Sequence, residues 1–550
     1  MKISLLNSAQ HIITAVFFTC FITYAELHAQ APGIAWQKTI GGNDIDGGLY
    51  ALQQTADGGY ILGGSSYSNI SGDKTENRQG GPDYWVVKLD ASGNIQWQNT
   101  IGGNAIDLLY ALQQTADGGY ILGGYSNSNI SGDKTENRQG SLDYWVVKLD
   151  ASGNIQWQNT IGGNDDEDLR SLQQTADGGY ILGGKSNSNI SGDKTENSQG
   201  GWDYWVVKLD ASGNIQWQNT IGGNDDDFFS ALQQTADGGY ILGGATTSNI
   251  SGDKTENSQG SYDYWVVKLD ASGNIQWQNT IGGDGYEDFG SLQKTADGGY
   301  ILGGWSNSNI SGDKTENCQG GVDYWVVKLD ASGNIQWQNT IGGNSFDELI
   351  SLQQTADGGY ILGGYSVSNI SGDKTENSQG DKDYWVVKLD ASGNIQWQNT
   401  IGGNGFDELL SLQQTADGGY ILGGHSISNI SGDKTENSQG STDFWVVKLD
   451  AVSSVHLISD CCGGGRLHLY PNPVNTNLII DLSKMPGSAF SLRLHTLVGT
   501  LVYTRAAVPM PVGGIIELPV SDLPEGSYFL SISNEAGESV TEKVVVMHQR

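Results

Sequence analysis

Cysteine is scarce, four in 550 residues. Cys20 lies in an N-terminal apolar run, Cys318 is alone among the repeats, and Cys461 and Cys462 are adjacent. None has a disulfide or zinc spacing, so disulfides do not organise this fold. Positions equivalent to Cys318 hold Arg78, Arg138, Ser198, Ser258, Ser378 and Ser438, which makes it a substituted serine rather than a nucleophile. Basic residues are also few, 28 against 62 acidic, for a net charge of -34. Such a surface repels polyanions, which excludes nucleic acid and anionic membrane as partners. The apolar run IITAVFFTCFI, Ile12 to Ile22, falls short of the ~20 residues of a membrane span. With Lys2 ahead of it and the small-residue site LHA closing at Ala29, it reads as a signal peptide over 1–29, leaving no transmembrane segment in the mature chain. Glycine, at 80 residues, has no third-residue period, which excludes collagen, and 16 Trp with 24 Tyr exclude a disordered chain. No HExxH, G-x-S-x-G or P-loop occurs, and no amphipathic helix period runs for three turns.

What the chain has instead is repetition. DYWVVKLDASGNIQWQNTIGG starts at Asp83, Asp143, Asp203, Asp263, Asp323 and Asp383, a period of 60 residues. In the second unit four strands are expected, at about Leu109–Thr115, Gly119–Gly124, Asp143–Asp150 and Asn154–Ile161. Trp145, Val147 and Leu149 alternate onto one face, and TADGG and DASGN carry hairpin-turn residues. Repeated four-stranded antiparallel units fit a β-propeller. The second and third strands occur seven times, but the fourth follows only six of them. IAWQKTIGG, Ile34 to Gly42, supplies the seventh copy at the other end of the chain. The expected fold is therefore a seven-bladed β-propeller over 34–450 whose N-terminal strand closes the last blade. Fourteen of the 16 tryptophans recur at fixed phase and are expected to pack between sheets.

Near-identical units make their differences informative. Variation concentrates after the fourth strand (DIDGGLY from Asp44, DDEDLR from Asp165 and equivalents) and in the connection between strands two and three. Both connections are expected at one face of the disc, a candidate binding face. Its candidate ligand-binding residues are Trp305, Tyr125, Tyr365, Trp202 and His425. The constant SGDKTEN of the same connection clusters oxygen ligands suited to calcium: Asp73, Glu76 and Asn77, then Asp133, Glu136 and Asn137, and their equivalents. A solvated turn with side-chain-to-backbone bonds is the alternative. No catalytic constellation stands out. His425 is the only repeat histidine, and identical carboxylates cannot form the differentiated pair that acid–base catalysis requires.

Composition changes after Asp450. A linker over 451–465 leads to a second domain over 466–550, with Pro471 and Pro473 in its first turn and short alternating strands suited to a small Ig-like β-sandwich. YPNPVNTNLII, LHTLVGTLVY, LPVSDLPEGSYFLSI and VTEKVVV resemble the type A sorting domain of the type IX secretion system of Bacteroidota. That resemblance implies export through the periplasm, contact with the secretion machinery, and an outer-membrane-surface or extracellular destination. The repeats resemble secreted propeller-like proteins of the same bacteria. That resemblance adds place more than activity; the varied face and the lack of a catalytic constellation point to binding or adhesion, with a surface glycan or protein as ligand. A secreted polysaccharide hydrolase or lyase and a structural scaffold are the alternatives.

Overall fold

The computed structural model describes residues 31–451 and, beyond them, 468–470, 474, 477–482, 489–496, 501–509, 514–521, 523, 524, 526–534 and 539–546. The expected signal peptide, nearly all of the expected linker, Cys20, Cys461, Cys462, Pro471 and Pro473 lie outside the described residues.

Seven four-stranded antiparallel sheets, propeller-like blades, fill residues 34–449. Blade 1 is Asp46–Gln54, Tyr60–Ser66, Asp83–Leu89 and Ile95–Ile101, and blades 2 to 6 repeat it. Blade 7 takes three strands, Asp407–Gln414, Tyr420–Ser426 and Asp443–Leu449, from the end of the repeats and its fourth, Ile34–Ile40, from the start. Trp36 pairs with Lys448, Gln37 with Val447 and Ile40 with Phe444, the register of every other fourth strand. First strands pack on first strands of both neighbouring blades, and Asp46–Gln54 packs on Asp407–Gln414.

The period-2 pattern explains the cores. The third strand of blade 1 sends Trp85, Val87 and Leu89 into a core shared with Phe444 and Val446 of blade 7. Its other face sends Tyr84 and Val86 into a core shared with Trp145 and Leu122 of blade 2. Each central strand thus feeds two cores and is buried throughout. The glycine pair in YILGG makes room for this: a Cβ on Gly63 would come within 2.7 Å of Leu109 of the next blade. Tyr84 Oη donates to the Trp145 carbonyl at 3.0 Å across the interface, and the rings pack at 4.9 Å. The fixed-phase tryptophans pack between sheets as expected.

Both tight turns form as the sequence implies. In TADGG, Gly58 takes φ 84°, a left-handed conformation that favours glycine. Asp57 accepts from Gly59 N at 3.0 Å and from the hydroxyl of Thr55. Strand edges move in two places. The first strand of blade 2 begins at Asp107, not Leu109, because the Asp107 carboxylate is buried and accepts from Gly103 N at 2.7 Å and Ser128 Oγ at 3.0 Å. The second ends at Ser126, which draws position 125 into the ladder opposite Leu108.

The C-terminal segment forms two antiparallel sheets. One orders His468–Tyr470, Asn477–Asp481 and Ile515–Pro519; the other orders Leu501–Pro509, Ala489–Thr496, Gly526–Asn534 and Ser539–Val546. Leu478, Ile480 and Leu518 of the first meet Leu492, Leu530 and Val544 of the second in one core.

Candidate functional site

Every first strand carries a bulge at one phase. Register slips between Leu109 and Ala111, Leu169 and Ser171, Phe229 and Ala231, Phe289 and Ser291, Leu349 and Ser351, and Leu409 and Ser411. In blade 1 it slips between Gly47 and Ala51. A bulge turns an extra side chain off the ladder. The residues at that position, Tyr50, Tyr110, Arg170, Ser230, Gly290, Ile350 and Leu410, all line one cavity of about 710 Å³ where the first strands meet. Two residues onward every unit has leucine, Leu52 to Leu412; at the bulge nearly every unit differs.

The walls differ in chemistry. On one side Tyr50 and Tyr110 pack at 4.8 Å, and the Arg170 guanidinium lies 4.1 Å over the Tyr110 ring. Arg170 donates to Asp168 at 2.6 Å, and Lys185 approaches the same carboxylate at 3.8 Å. Lys185 also lies over Trp202 and Phe228, at 4.6 and 4.9 Å. Burial pushes the Tyr110 hydroxyl far above its usual range. Phe228, Tyr262 and Tyr286 continue the wall as a stack, at 5.8 and 5.3 Å. Asp288, Trp305 and Glu348 form the other side. Asp288 is exposed on the cavity side yet hemmed in by protein, so desolvation, helped by Glu348, raises its pKa against the Phe289 N–H and the charge of Lys185. Its carboxylate accepts from Phe289 N at 3.0 Å.

Of the five expected binding residues, Trp305 lines this cavity. Tyr125 backs Tyr110 at 5.8 Å, and Trp202 lies under Lys185. Tyr365 is buried, hydrogen-bonded to Glu348 and capped by Lys382 Nζ at 4.0 Å from its ring. His425 Nε2 meets Glu408 at 3.3 Å. Burial raises the Glu408 pKa, but His425 and Lys382 outweigh it and hold the carboxyl at about 2. Trp305, Tyr125, Tyr365 and His425 are strand residues, not loop residues, because the second strand runs to the following serine. Part of the variation therefore faces the cavity and the layer behind it, while Ile45, Ile106, Phe346 and Phe406 of the same varied segments stay exposed. Sequence reasoning missed Arg170, Asp288, Tyr50 and Tyr110. The available signal was their shared phase in the segment that varies after the fourth strand.

The SGDKTEN side chains are occupied elsewhere. Asp73 accepts from Gly41 N at 3.3 Å and from Gln439 of blade 7; Asp133 accepts from Gly102 N at 3.2 Å and from Gln79. Glu76 and Glu136 accept from Thr100 N and Thr160 N at 2.6 Å. Asn77 and Asn137 accept from Ile70 N and Ile130 N at 3.0 and 3.1 Å. They close the loop on its own blade and staple it to the next, as the alternative to calcium implies. No group of three or more His, Cys, Asp or Glu among the described residues is placed to hold a metal. The lysine of the motif is buried: Lys134 donates to Thr160 Oγ1 and lies 5.3 Å over Trp145. Cys318 Sγ contacts Ser306 O at 2.9 Å, as Ser378 Oγ contacts Ser366 O at 3.1 Å, and burial raises the thiol to about 11. It occupies a serine's place.

Comparison with known proteins adds the following. Residues 468–547 match the secretion system C-terminal sorting domain family, and that segment is such a domain. It implies export to the cell surface or extracellular space and interaction with the secretion machinery. Regulatory protein FlaEY of Caulobacter vibrioides is 23% identical over 422 residues, 70% of this chain. The chain spans 42% of that relative's length. Among solved structures, PorZ, an essential bacterial surface component of the type-IX secretion system of Porphyromonas gingivalis, aligns with a TM-score of 0.38 at 11% identity, covering 94% of this chain and 61% of PorZ. A protein of unknown function from Dyadobacter fermentans aligns with a TM-score of 0.40 at 11% identity, covering 76% of this chain and 99% of that one. No helix among the described residues is long and apolar enough to cross a membrane.

Proposed function

We propose that this is an exported, non-catalytic recognition protein. Its seven blades close into a β-propeller, its central cavity binds a ligand, and its C-terminal sandwich, Ig-like in fold, hands the ring to the type IX machinery after passage through the periplasm. The observation that carries this reading is where the units diverge. Units that keep 21 consecutive residues unchanged differ at the bulge, and all seven bulge residues line one cavity. Variation also reaches exposed connections, Ile45, Ile106, Phe346 and Phe406 among them, where little constrains a loop; at the bulge it falls on strand residues that share one cavity. Aromatic walls with a few charged groups are the usual make-up of a small-molecule site. The test is a glycan array and a cell-surface pull-down with the full chain and its Trp305→Ala and Arg170→Ala variants. Binding by the wild type, lost in both variants at an unchanged thermal transition, is expected. Equal binding by all three would move the site elsewhere.

A second reading, a polysaccharide hydrolase or lyase, has one observation in its favour: the Asp288 carboxyl, raised by desolvation, lies in the field of Glu348. Paired carboxylates with separated pKa values do acid–base work. Release of reducing or unsaturated ends by the wild type, abolished by Asp288→Asn, would replace the first reading with this one.

A further inference from the structure

We propose that the central cavity takes a small zwitterion, its carboxylate end at Arg170 and Lys185 and its ammonium end at Asp288 and Glu348. This rests on the reading that the cavity is the binding site.

The two walls have opposite unmet charge. On the first, two cations share one carboxylate, Asp168. Arg170 spends one of its N–H donors there and lays its face on Tyr110, which leaves further donors of its five available. On the second, Asp288 and Glu348 form no ion pair within 4.0 Å among the described residues, the charge of Lys185 reaching Asp288 only from farther off. Asp288 accepts from the neighbouring backbone N–H and Glu348 bonds the Tyr365 hydroxyl, neither of which supplies charge. A carboxylate nearby that does have a cation shows the contrast: Glu408 holds Lys382, with His425 Nε2 at 3.3 Å.

Along the walls themselves, Phe228, Tyr262 and Tyr286 on the first and Trp305 on the second offer aromatic faces for the body of a ligand. The volume, about 710 Å³, is of small-molecule size. A polyanion would meet two carboxylates, a polycation would meet Arg170 and Lys185, and a neutral molecule would leave both surpluses unanswered. Inside a cavity such charges act more strongly than in bulk water. A molecule with one charge of each sign answers both walls. The shared chemistry has two sources, a short free peptide or an amino-uronic saccharide.

The test uses the immobilised full chain. Pooled free tripeptides are passed over it beside the same pools N-acetylated, C-amidated or capped at both ends. Glucosaminyl-glucuronate is passed beside its N-acetylated form, and retention is read by mass spectrometry. We expect retention of at least one free zwitterion, with a tenfold or greater loss on removing either charge. Asp288→Asn with Glu348→Gln should abolish discrimination against the N-acetylated form. Arg170→Met should abolish discrimination against the amide. Peptide retention names one source, disaccharide retention the other. Equal retention of free and capped forms, or no retention of any zwitterion at millimolar concentration, overturns the inference. If a neutral or singly charged glycan binds instead and Trp305→Ala abolishes it, the cavity reading stands and the zwitterion falls. A ligand indifferent to every cavity substitution overturns both.

Discussion

Thr39→Val tests the seam where the first residues of the ring meet the last. Lys434 is buried in the loop of blade 7, and its ammonium donates to Thr39 Oγ1 on the strand contributed by the N-terminus. Lys134 makes the same bond to Thr160 within blade 2. Valine keeps the shape of threonine but removes the acceptor. A buried donor left unsatisfied costs about 1–3 kcal/mol. The lysine has an escape, because desolvation already lowers its pKa to about 8. Shedding the proton at pH 7 costs about 1.4 kcal/mol per unit of pKa, which limits the loss to roughly 1–2 kcal/mol. The loss should shrink at pH 9, where the amine is largely neutral in both proteins. The assay is urea unfolding followed by tryptophan fluorescence, which reports the ring alone because Trp445 is the last tryptophan of the chain. In a closed ring Thr39→Val and Thr160→Val destabilise equally. A silent Thr39→Val beside a costly Thr160→Val would refute closure, because an unpaired strand gives Lys434 nothing to lose.

Three further outcomes are expected. Phe444 packs on Trp85 at 4.9 Å where other blades have tyrosine, so the seam lacks the hydroxyl bond that Tyr84 makes to the Trp145 carbonyl; Phe444→Tyr should add about 1 kcal/mol of stability by the same urea assay. Desolvation raises Asp83 to about 7 and Asp203, Asp263, Asp323 and Asp383 to about 6, and stability from a raised acid is present below its unfolded pKa and lost as pH rises through the folded one. Desolvation lowers Lys74, Lys134 and Lys194 to about 8, and stability from a depressed lysine is regained as pH rises from there toward the ordinary value of 10.5. The melting temperature of the ring should therefore fall between pH 4 and 7 and recover between pH 8 and 10, and a flat profile contradicts the burial of these groups. Chelation with EDTA should leave the melting temperature unchanged, because Asp73, Glu76 and Asn77 already accept hydrogen bonds, and a calcium-reversible drop would reinstate a cation site.

Much of the scaffold is legible in the sequence because its forces are local and periodic. DYWVVKL alternates large side chains strictly, TADGG and DASGN fix their own turns, and IAWQKTI is a visible copy of IQWQNTI out of place. The cavity was harder to see. A bulge follows from how two strands align, and nothing in DDEDLR marks Arg170 as the residue left over. SGDKTEN misled for a related reason. Its oxygens resemble a cation loop in composition, yet their partners are backbone N–H groups about 24 to 32 residues away in sequence and a glutamine on another blade. The variability of Tyr125 and Trp305 is visible in the sequence but their place in a strand is not, since the hydrogen bonds that carry the second strand to its final serine involve an aspartate some 20 residues earlier, as between Ser66 and Asp46.

The inter-blade staples have a consequence for how such a chain changes over generations. Gln79 reaches Asp133, Gln139 reaches Asp193, and Gln439 reaches Asp73, the same bond at each boundary. A 60-residue unit therefore fits beside any other as well as beside its present neighbour. Exchanging two units by recombination would keep these inter-blade bonds and move each unit's varied residues, at the bulge, at the second-strand position of Lys185 and Trp305 and in the exposed connections, to a new place in the order. The composition of the cavity is thus an arrangement of interchangeable parts, open to shuffling in single events that keep the fold.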